Sequence, residues 1–363
     1  MKFRNYILTA LGLLLATSCV RGGASPGEFT ETVYTPTHAH GFRIVRAPGS
    51  QSTMIEVTDP WQGADSVKRL LFIGRGGETP PRGVMAIDGN AANVVCMSSS
   101  HVGLLDAIGA TDHIKGVSGI GFITNAAVQM RRDSIADVGY GGNTDYERLL
   151  SVRPDVVLLY GVDGPSPLED KLSEFGIPIL YVGDYLEHDP LGRAEWMVAL
   201  GELTGHREQA EARFSAITTA YDSIHAEASR LSSAPKVMLN APYGDSWFMP
   251  PVQSYMVRLI SDASGCYIYP ENRSGISQPI DMELATMLLG RADIWLQPGQ
   301  AMTLNQARAA APKARFDCPV YNSSADFWES GAARPDLVLR DMTRMIHDHD
   351  TPDSTLTYFH RLK

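Results

Sequence analysis

Serine and histidine side chains lie together where a short apolar run ends. Residues 94–97 are Val-Val-Cys-Met, and they are followed at once by three serines, the middle one Ser99, and then by His101. Imidazole is the usual general base near neutral pH, and a neighbouring hydroxyl could serve as its nucleophile. However, the segment lacks the GxSxG pattern, and no Asp or Glu can be placed behind the histidine. An enzyme, such as a hydrolase or a metal chelatase, is one hypothesis that these residues allow, but we predict no catalytic residues.

Metal ligation is the second kind of chemistry that the residue types allow. A bare zinc or manganese ion needs about three or four converging ligands. Near the expected strand ends, the sequence offers His101, Asp163 and Asp184. The cysteines beyond the leader match no CxxC spacing, and whether Cys266 and Cys318 form a disulfide is left open. We predict no resident metal or cofactor, and a bare-ion carrier stays as the other alternative.

The overall composition is that of an ordinary globular protein. The chain has 363 residues, of which 44% are hydrophobic and 20% charged, and its formal net charge is −10. No run of Lys and Arg is long enough to follow a phosphate backbone, which disfavours a nucleic-acid partner. The length suits about two domains.

The first residues are typical of a secretory leader. Lys2 and Arg4 precede an apolar run over residues 7–16, which is too short to span a bilayer. Small residues then lead to Cys19, and this arrangement resembles a bacterial lipoprotein processing box. We predict a signal peptide, a lipid on Cys19 and a flexible tether after it.

From residue 91 onward, short apolar runs followed by helical stretches predict an α/β fold. The order recurs along the chain. Residues 153–158 resemble 291–296 and residues 177–181 resemble 317–321, at offsets of 138 and, between Pro178 and Pro319, 141. Two similar lobes in tandem is the simplest interpretation, with chance similarity among Val- and Ile-rich strands as the alternative.

One long helix is predicted between the two copies. Apolar residues recur there at spacings of four and three from Ala210 to Leu231, without Gly or Pro. Such a helix is roughly 37 Å long and would join the lobes as a stiff strut. Before the lobes, short β-like runs alternate with Gly and Pro turns and predict a β-hairpin extension. The predicted division is: signal peptide 1–18, lipidated tether 19–27, β-rich extension 28–90, N-terminal α/β lobe 91–205, linker helix 206–232 and C-terminal α/β lobe 233–363.

An ordered set of motifs over most of residues 90–330 resembles a known family. The motifs are residues 94–101, 105–110, 114–118, 137–139 and 147–157. They are similar to those of the substrate-binding proteins of ABC importers for iron–siderophore complexes, haem and cobalamin. The resemblance implies a rigid two-lobed clamshell that holds a metal chelate between its lobes and has no chemistry of its own. Residues 28–90 are longer than the family's usual start, so their role is left open.

Two glutamates gain a role from this resemblance. Glu147 and Glu283 each lie at the start of a predicted helix, one in each lobe. In the family, such a pair docks onto arginines of the membrane permease. Capping is the alternative, because residues 144–147 have the pattern of a capping box and an acid in a first turn interacts favourably with the helix dipole. Because the pair occurs at matching places, we favour docking.

Ligand contacts are expected at strand ends and in the loops that follow them. Aromatic walls with a few directed polar groups suit large planar chelates, and an arginine would answer the charge of an anionic siderophore. Core or surface packing is the alternative for each side chain. The candidate ligand-binding residues are Ser99, His101, Tyr160, Asp163, Tyr185, Trp247, Phe248, Arg273 and Trp328.

We therefore expect a lipid-anchored periplasmic substrate-binding protein and not an enzyme. It would deliver an iron–siderophore complex, haem or cobalamin to an ABC permease and its ATPase. The sequence does not distinguish among these chelates. We expect a monomer that reaches the membrane only through its lipid.

Overall fold

The computed structural model describes residues 25–348 and 351–363. The predicted signal peptide, Cys19 and most of the tether lie outside these residues. Within the described chain, no helix is long and apolar enough to cross a membrane.

A five-stranded sheet forms the N-terminal extension. Its strands are β1 (Glu31–Tyr34), β2 (Phe42–Arg46), β3 (Thr53–Thr58), β4 (Lys68–Gly74) and β5 (Met85–Asp88). They lie in sequence order, and all neighbours are antiparallel except β4 and β5. Alternate residues such as Ile55 and Leu71 face the main core, whereas Met54 and Phe72 face outward under Phe29. The sheet therefore has two apolar faces and one of them is covered by the chain's own N-terminal segment.

The first lobe is a parallel sheet with helices around it. Its elements are β6 (Val94–Cys96), α1 (Ser99–Ala107), β7 (Ile114–Val117), α2 (Ala126–Met130), β8 (Ala136–Asp137), β9 (Gly139–Tyr140), β10 (Asn143–Thr144), α3 (Tyr146–Ser151), β11 (Val156–Leu159), α4 (Glu169–Glu174) and β12 (Ile179–Tyr181). The sheet order is β12-β11-β6-β7-β8, and all neighbours are parallel. β6 and β11 are apolar throughout because both faces of a parallel sheet are covered.

Two helices follow, α5 (Pro190–Thr204) and α6 (Arg207–Ala228). α5 is almost entirely buried, and it ends at Gly205, whose φ of 80° permits the sharp turn into α6. α6 confirms the predicted linker helix. It buries Phe214, Ile217 and Tyr221 against α5 and the last helix of the chain, although Leu231 lies beyond its end and is exposed.

The second lobe repeats the arrangement. Its elements are β13 (Lys236–Leu239), β14 (Pro242–Tyr243), β15 (Ser246–Met249), α7 (Tyr255–Asp262), β16 (Cys266–Tyr267), β17 (Gln278–Asp281), α8 (Met282–Leu289), β18 (Ile294–Leu296), α9 (Leu304–Ala310), β19 (Val320–Ser323), α10 (Pro335–His347) and β20 (Phe359–Arg361). The main sheet has the order β16-β13-β18-β19-β20, and β14, β15 and β17 form a separate antiparallel sheet.

The internal similarity seen in the sequence corresponds to this topology. In the first lobe β6 is flanked by β7 and β11, with β12 beyond β11; in the second, β13 is flanked by β16 and β18, with β19 beyond β18. The similar segments are therefore strands in equivalent places. At the edge next to β19, the second lobe adds the antiparallel strand β20. The exact domain boundaries stay predictions.

Cys266 and Cys318 do not form a disulfide. All three cysteines in the described chain are free. Cys266 lies in β16 and Cys318 just before β19, and two strands separate β16 from β19. Three strand spacings amount to roughly 14 Å, which is well beyond the reach of a disulfide.

Candidate functional site

Each lobe has a cavity at the carboxyl ends of its parallel strands, where ligands of open α/β sheets bind. The first-lobe cavity has a volume of about 530 Å³ and is lined mainly by residues 140–142 and 159–168. The second-lobe cavity has a volume of about 960 Å³ and is lined mainly by residues 240–243, 297–302 and 322–325. Both volumes lie in the range of small-molecule sites.

Direct contacts bring these two sheet edges together. The hydroxyl of Ser99, at the start of α1, donates to the carbonyl oxygen of Trp328, a residue of the second-lobe cavity, at 3.4 Å. The backbone amide of Thr124 donates to Oε2 of Glu329 at 2.8 Å, and the Thr124 hydroxyl donates to Oδ1 of Asp326 at 3.2 Å. The two cavities therefore lie on either side of one inter-lobe seam.

Close packing at this seam depends on a glycine of α1. A Cβ at position 103 would collide with the carbonyl oxygen of Glu329. Glu329 is buried, and this burial raises the pKa of its carboxyl group, whereas the Thr124 hydrogen bonds lower it. At the seam, α1 therefore packs closely against the backbone of Glu329, and the carboxyl group of Glu329 is shielded from water.

Large side chains in both cavities are exposed to solvent. Tyr140 and Tyr160 are 62% and 41% exposed on the first-lobe side. Tyr243, Met302 and Trp328 are 80%, 67% and 53% exposed on the second-lobe side. Exposed apolar groups gathered at one place typically mark a binding surface. Two such walls can bind between them a large ligand that has apolar faces.

Several of the predicted ligand residues lie at these cavities. Tyr160 and Asp163 line the first, Trp328 lines the second and Ser99 bonds across the seam. Whether they contact a ligand stays a prediction. Tyr185 supports the first cavity from behind, because its hydroxyl donates to the carbonyl oxygen of Gly161. Burial, aided by the charge of Asp184, raises the pKa of Tyr185 to about 12.

Phe248 and Arg273 line neither cavity. Phe248 is 39% exposed on β15, in the separate three-stranded sheet. Arg273 is exposed in the loop between β16 and β17. The structure therefore gives neither side chain a place in the cavity walls.

The structure does not support ligand contact by Trp247. Its side chain has no exposed surface, its indole nitrogen donates to the carbonyl oxygen of Leu239 at 2.8 Å, and its ring packs on Trp295 at 5.5 Å. β15 is antiparallel to β17 beside the lobe core, and its alternate residues point inward. This burial is the core alternative that the sequence left open.

His101 is also buried and has no exposed surface. Neither ring nitrogen has a hydrogen-bond partner among the described residues, and burial lowers the pKa of His101 to about 4 against the opposing influence of Asp184. A neutral imidazole sealed from solvent has no substrate to act on. The structure therefore does not support its use as a ligand contact or a general base.

The groups considered for a bare ion do not converge. Asp184 is engaged by Arg193 and by the hydroxyl of Ser100, each at 3.2 Å. In the described chain, no group of three or more His, Cys, Asp or Glu side chains is placed to hold a metal ion.

The two glutamates lie at equivalent positions of the two lobes. Glu147 and Glu283 are each the second residue of a helix, α3 and α8, and both are exposed. The N-caps are Asp145 and Asp281, which accept the amides of Arg148 and Leu284 at 3.0 and 2.8 Å. The capping-box pattern at Thr144 is therefore not realised. In the described chain, both glutamate carboxylates are free of hydrogen bonds and ion pairs.

The extension supports the wall of the first cavity. The amide of Gln62 donates to the carbonyl oxygen of Val162 at 3.0 Å, and Gly161 lies directly against Trp61. Trp61 packs edge-on against Tyr181 at 5.7 Å, and the hydroxyl of Tyr181 accepts the amide of Ser166 at 2.8 Å. Loop 160–168 is thus held from behind by residues outside the two lobes.

Buried glutamates fasten the extension to α5 and to the segment just before it. Both carboxylate oxygens of Glu195 accept backbone amides from residues 37–39 at 2.7–2.8 Å, and Oε1 also accepts the hydroxyl of Tyr34. Glu187, before α5, accepts the amides of His40 and Gly41 and the indole nitrogen of Trp196. Charge-assisted bonds of this kind are stronger than neutral ones.

A third cavity of about 710 Å³ lies between the extension and helices α5 and α6. Its lining is polar, and its Arg75 and Arg207 both pair with Glu202, at 2.8 and 3.4 Å. Arg207 also pairs with Glu211 at 3.5 Å, so each of the two arginines has a carboxylate partner within the protein.

Sequence reasoning missed Tyr140, Tyr243 and Met302. Tyr140 lies between glycines in the stretch 139–142, and Tyr243 directly precedes Gly244. From its composition alone, the glycine-rich stretch predicts a turn and no more. An aromatic residue beside turn glycines at a strand end was the available signal, since side chains on such turns project from the sheet edge.

The fold and the paired cavities define a two-lobed α/β solute-binding protein. Residues 94–306, more than half of the chain, match the family model described as periplasmic binding protein. The chain belongs to this family, whose members bind solutes. The match begins after the extension, in agreement with the separate character of residues 28–90.

The chain is also similar to two lipoproteins of Methanocaldococcus jannaschii. An uncharacterized lipoprotein of Methanocaldococcus jannaschii is 26% identical over 271 residues, which are 70% of this chain and 64% of the relative. A second uncharacterized lipoprotein of that organism is 23% identical, over 63% of this chain and 62% of its own length. The chain thus spans slightly less than two thirds of these relatives.

Two solved structures show the same fold. A periplasmic haem-binding protein from Pseudomonas aeruginosa has a TM-score of 0.58 at 17% identity, over 75% of this chain and 98% of that one. The periplasmic vitamin B12-binding protein of Vibrio cholerae has a TM-score of 0.54 at 12% identity, over 70% and 96%.

Proposed function

We propose that this protein captures a metal chelate in the cleft between its lobes and delivers it to an ABC permease without changing it chemically. The observation that carries the proposal is the pair of cavities at facing strand ends, each with exposed aromatic side chains. The Ser99 to Trp328 contact sets them beside one seam. Iron–siderophore complexes, haem and cobalamin all have the size and the apolar faces that such walls accommodate.

Delivery requires a surface that the permease can recognise, and Glu147 and Glu283 are suited to form it. Both are exposed, unpaired in the described chain and equivalent in the two lobes. A carboxylate with no partner in the protein is available to an arginine of another protein. Because one glutamate lies on each lobe, the distance between the two carboxylates would depend on how the lobes are placed relative to each other.

A lipid on Cys19 would keep the protein at the periplasmic face of the membrane. The support is the processing-box pattern in the sequence and the description of two relatives as lipoproteins. The tether between the lipid and the fold would be short. About ten residues separate Cys19 from Phe29, and a fully extended chain of that length spans at most roughly 35 Å.

The alternatives find less support in the structure. A bare-ion carrier would need converging ligands, and Asp184 is already paired with Arg193. An enzyme would need an accessible base, and His101 is buried with a pKa lowered to about 4.

The test is a binding titration of the full-length chain carrying Cys19→Ser, which removes the thiol that is predicted to be acylated. Haemin, cyanocobalamin, a ferric tricatecholate, a ferric trihydroxamate, zinc and manganese are titrated in turn by calorimetry. We expect saturable binding of one chelate at about micromolar affinity or tighter, with the ligand recovered unchanged. Binding of a bare ion alone, or chemical conversion of the chelate, would contradict the proposal.

A further inference from the structure

The cavity walls carry almost no charge. Among the described residues that line the two cavities, Asp163 is the only acidic or basic side chain. The second-lobe cavity, which is the larger one, is lined by no Asp, Glu, Lys, Arg or His within the described chain. This matters because the chelates that the fold accommodates differ most in their charge.

Amide side chains take the place of charges in the second-lobe cavity. Its lining includes Asn240, Gln297, Gln300, Gln306 and Asn322. Both ends of the Asn322 amide are engaged by the backbone, at Gly299, Ala301 and Ser323, so this residue shapes the wall. The others keep hydrogen-bonding capacity for a ligand.

That capacity can be assigned atom by atom. The amide nitrogen of Gln297 is buried and has no hydrogen-bond partner in the described chain, so it would meet a ligand only if the side chain turned, and turning would cost this nitrogen no bond. Gln306 uses Oε1 to accept the amides of Met302 and Thr303, which leaves Nε2 free. Asn240 donates through Nδ2 to Phe248, which leaves Oδ1 free. Gln300 is exposed.

Among the charged residues within two positions of the second-cavity lining, Asp245, Asp326 and Glu329 are acidic and Arg308 is basic, so acidic groups predominate. Asp326 lies between Ala325 and Trp328, which both line the second cavity, and Asp245 lies two residues beyond Tyr243. The whole chain has a formal net charge of −10. Burying an anionic group without a cationic partner is costly, and like charges nearby raise that cost.

We infer that the cleft selects an uncharged chelate rimmed with amide or hydroxyl groups and disfavours an anionic one. The inference rests on the proposed function, since it concerns the cargo of that same cleft. Amide groups of the wall can donate hydrogen bonds to the amide or hydroxyl groups of the ligand and accept hydrogen bonds from them. The aromatic side chains cover the apolar faces of the ligand. Cobalamin, with amide arms around a corrin, and neutral ferric trihydroxamates share this chemistry. Haem with its propionates and ferric tricatecholates do not.

The test compares four probes by calorimetry at one ionic strength: cyanocobalamin, a neutral ferric trihydroxamate, haemin and a ferric tricatecholate. We expect one of the two neutral probes to bind at least about tenfold tighter than either anionic probe, since unpaired buried charge costs more than the free energy of a tenfold change. The two neutral arms distinguish a corrinoid from a siderophore. Equal or tighter binding of haemin or the tricatecholate would overturn the inference while leaving the proposed function standing. Saturation by none of the four would overturn both.

Introducing a charge at one exposed position sharpens the comparison. Gln300→Lys places a cation in the second cavity and should raise the affinity for haemin and the tricatecholate several-fold, whereas the neutral probes lose an amide contact and gain nothing from the charge. Gln300→Glu is the matched control and should weaken anionic binding further. If both variants bind haemin as the unmodified protein does, position 300 does not face the ligand and the amide wall is not the selective surface.

Discussion

The hydroxyl of Ser99 lies 3.4 Å from the carbonyl oxygen of Trp328, and this hydrogen bond joins the two lobes beside both cavities. The two residues are 229 positions apart in the chain. Ser99 begins the helix after the first strand of its lobe, and Trp328 ends the turn after β19. The contact makes the two strand edges parts of one site, so the relative position of the lobes determines the shape of the cleft.

The close approach of the lobes should depend on Gly103. In Gly103→Ala, the added Cβ collides with the carbonyl oxygen of Glu329, and relief requires α1 and the 329–332 segment to move apart. We expect a loss of about 1–3 kcal/mol in the free energy of unfolding, as for other overpacked sites, measured by urea titration. Gly121→Ala is the control, since a Cβ there meets no atom within 4 Å. Equal stability of the two variants would mean that the seam is not tightly packed in solution.

Trp61 should hold loop 160–168 in place from the extension. Trp61→Ala removes the ring that packs on Tyr181 and keeps only the Cβ that lies against Gly161. We expect chymotrypsin to cleave after Tyr160 several-fold faster, because a loosened loop opens more often. Phe29→Ala is the control, because Phe29 covers the outer face of the same sheet, away from the loop. If the control accelerates this cleavage equally, the effect belongs to the whole extension and not to Trp61.

If the paired glutamates dock onto the permease, removing both should reduce transport without changing ligand binding. Glu147→Ala combined with Glu283→Ala should leave chelate affinity within about twofold, since neither residue lines a cavity, and should lower ligand-stimulated uptake at least about tenfold. Uptake is measured in vesicles carrying the permease and its ATPase. Arg148→Ala, beside Glu147 on α3, is the control. Normal uptake by the double variant with normal binding would show that docking uses another surface.

His101 should make stability depend on pH. Its pKa is lowered to about 4 in the fold and is about 6.5 when unfolded, so the unfolded chain takes up the proton first as pH falls. The free energy of unfolding should therefore decrease between pH 6.5 and pH 4, by an amount of about 3 kcal/mol for a pKa near 4. Urea titrations across this range should show a smaller decrease in His101→Leu, because no titrating ring remains.

The stability of His101→Leu at neutral pH is a second test, and it concerns the burial of the imidazole ring. Because both His101 nitrogens are unpartnered, His101→Leu should be at least as stable as the unmodified protein at neutral pH. A pH dependence identical in the two proteins would contradict the lowered pKa.

The sequence was sufficient for the architecture because strands and helices have local signals. The runs around Val94, Val156 and Ile294 are apolar enough to indicate buried parallel strands, and their repetition predicted the lobes. The site was harder to predict, because exposure is a property of three-dimensional packing. Trp247 and Trp328 are both tryptophans near strand ends, yet the former is buried and the latter is 53% exposed. Contacts between distant segments, such as Trp61 with Gly161, have no local signal at all.

The central claim is that the ligand lies between the lobes, and hydrogen–deuterium exchange with and without saturating ligand tests it most directly. The ligand is whichever of cyanocobalamin, ferric trihydroxamate, haemin or ferric tricatecholate binds tightest. We predict slower exchange in residues 140–142 and 159–168 of the first lobe together with residues 240–243 and 297–302 of the second. Protection confined to one lobe, or found instead around Arg75 and Arg207 in the cavity beneath the extension, would contradict the account.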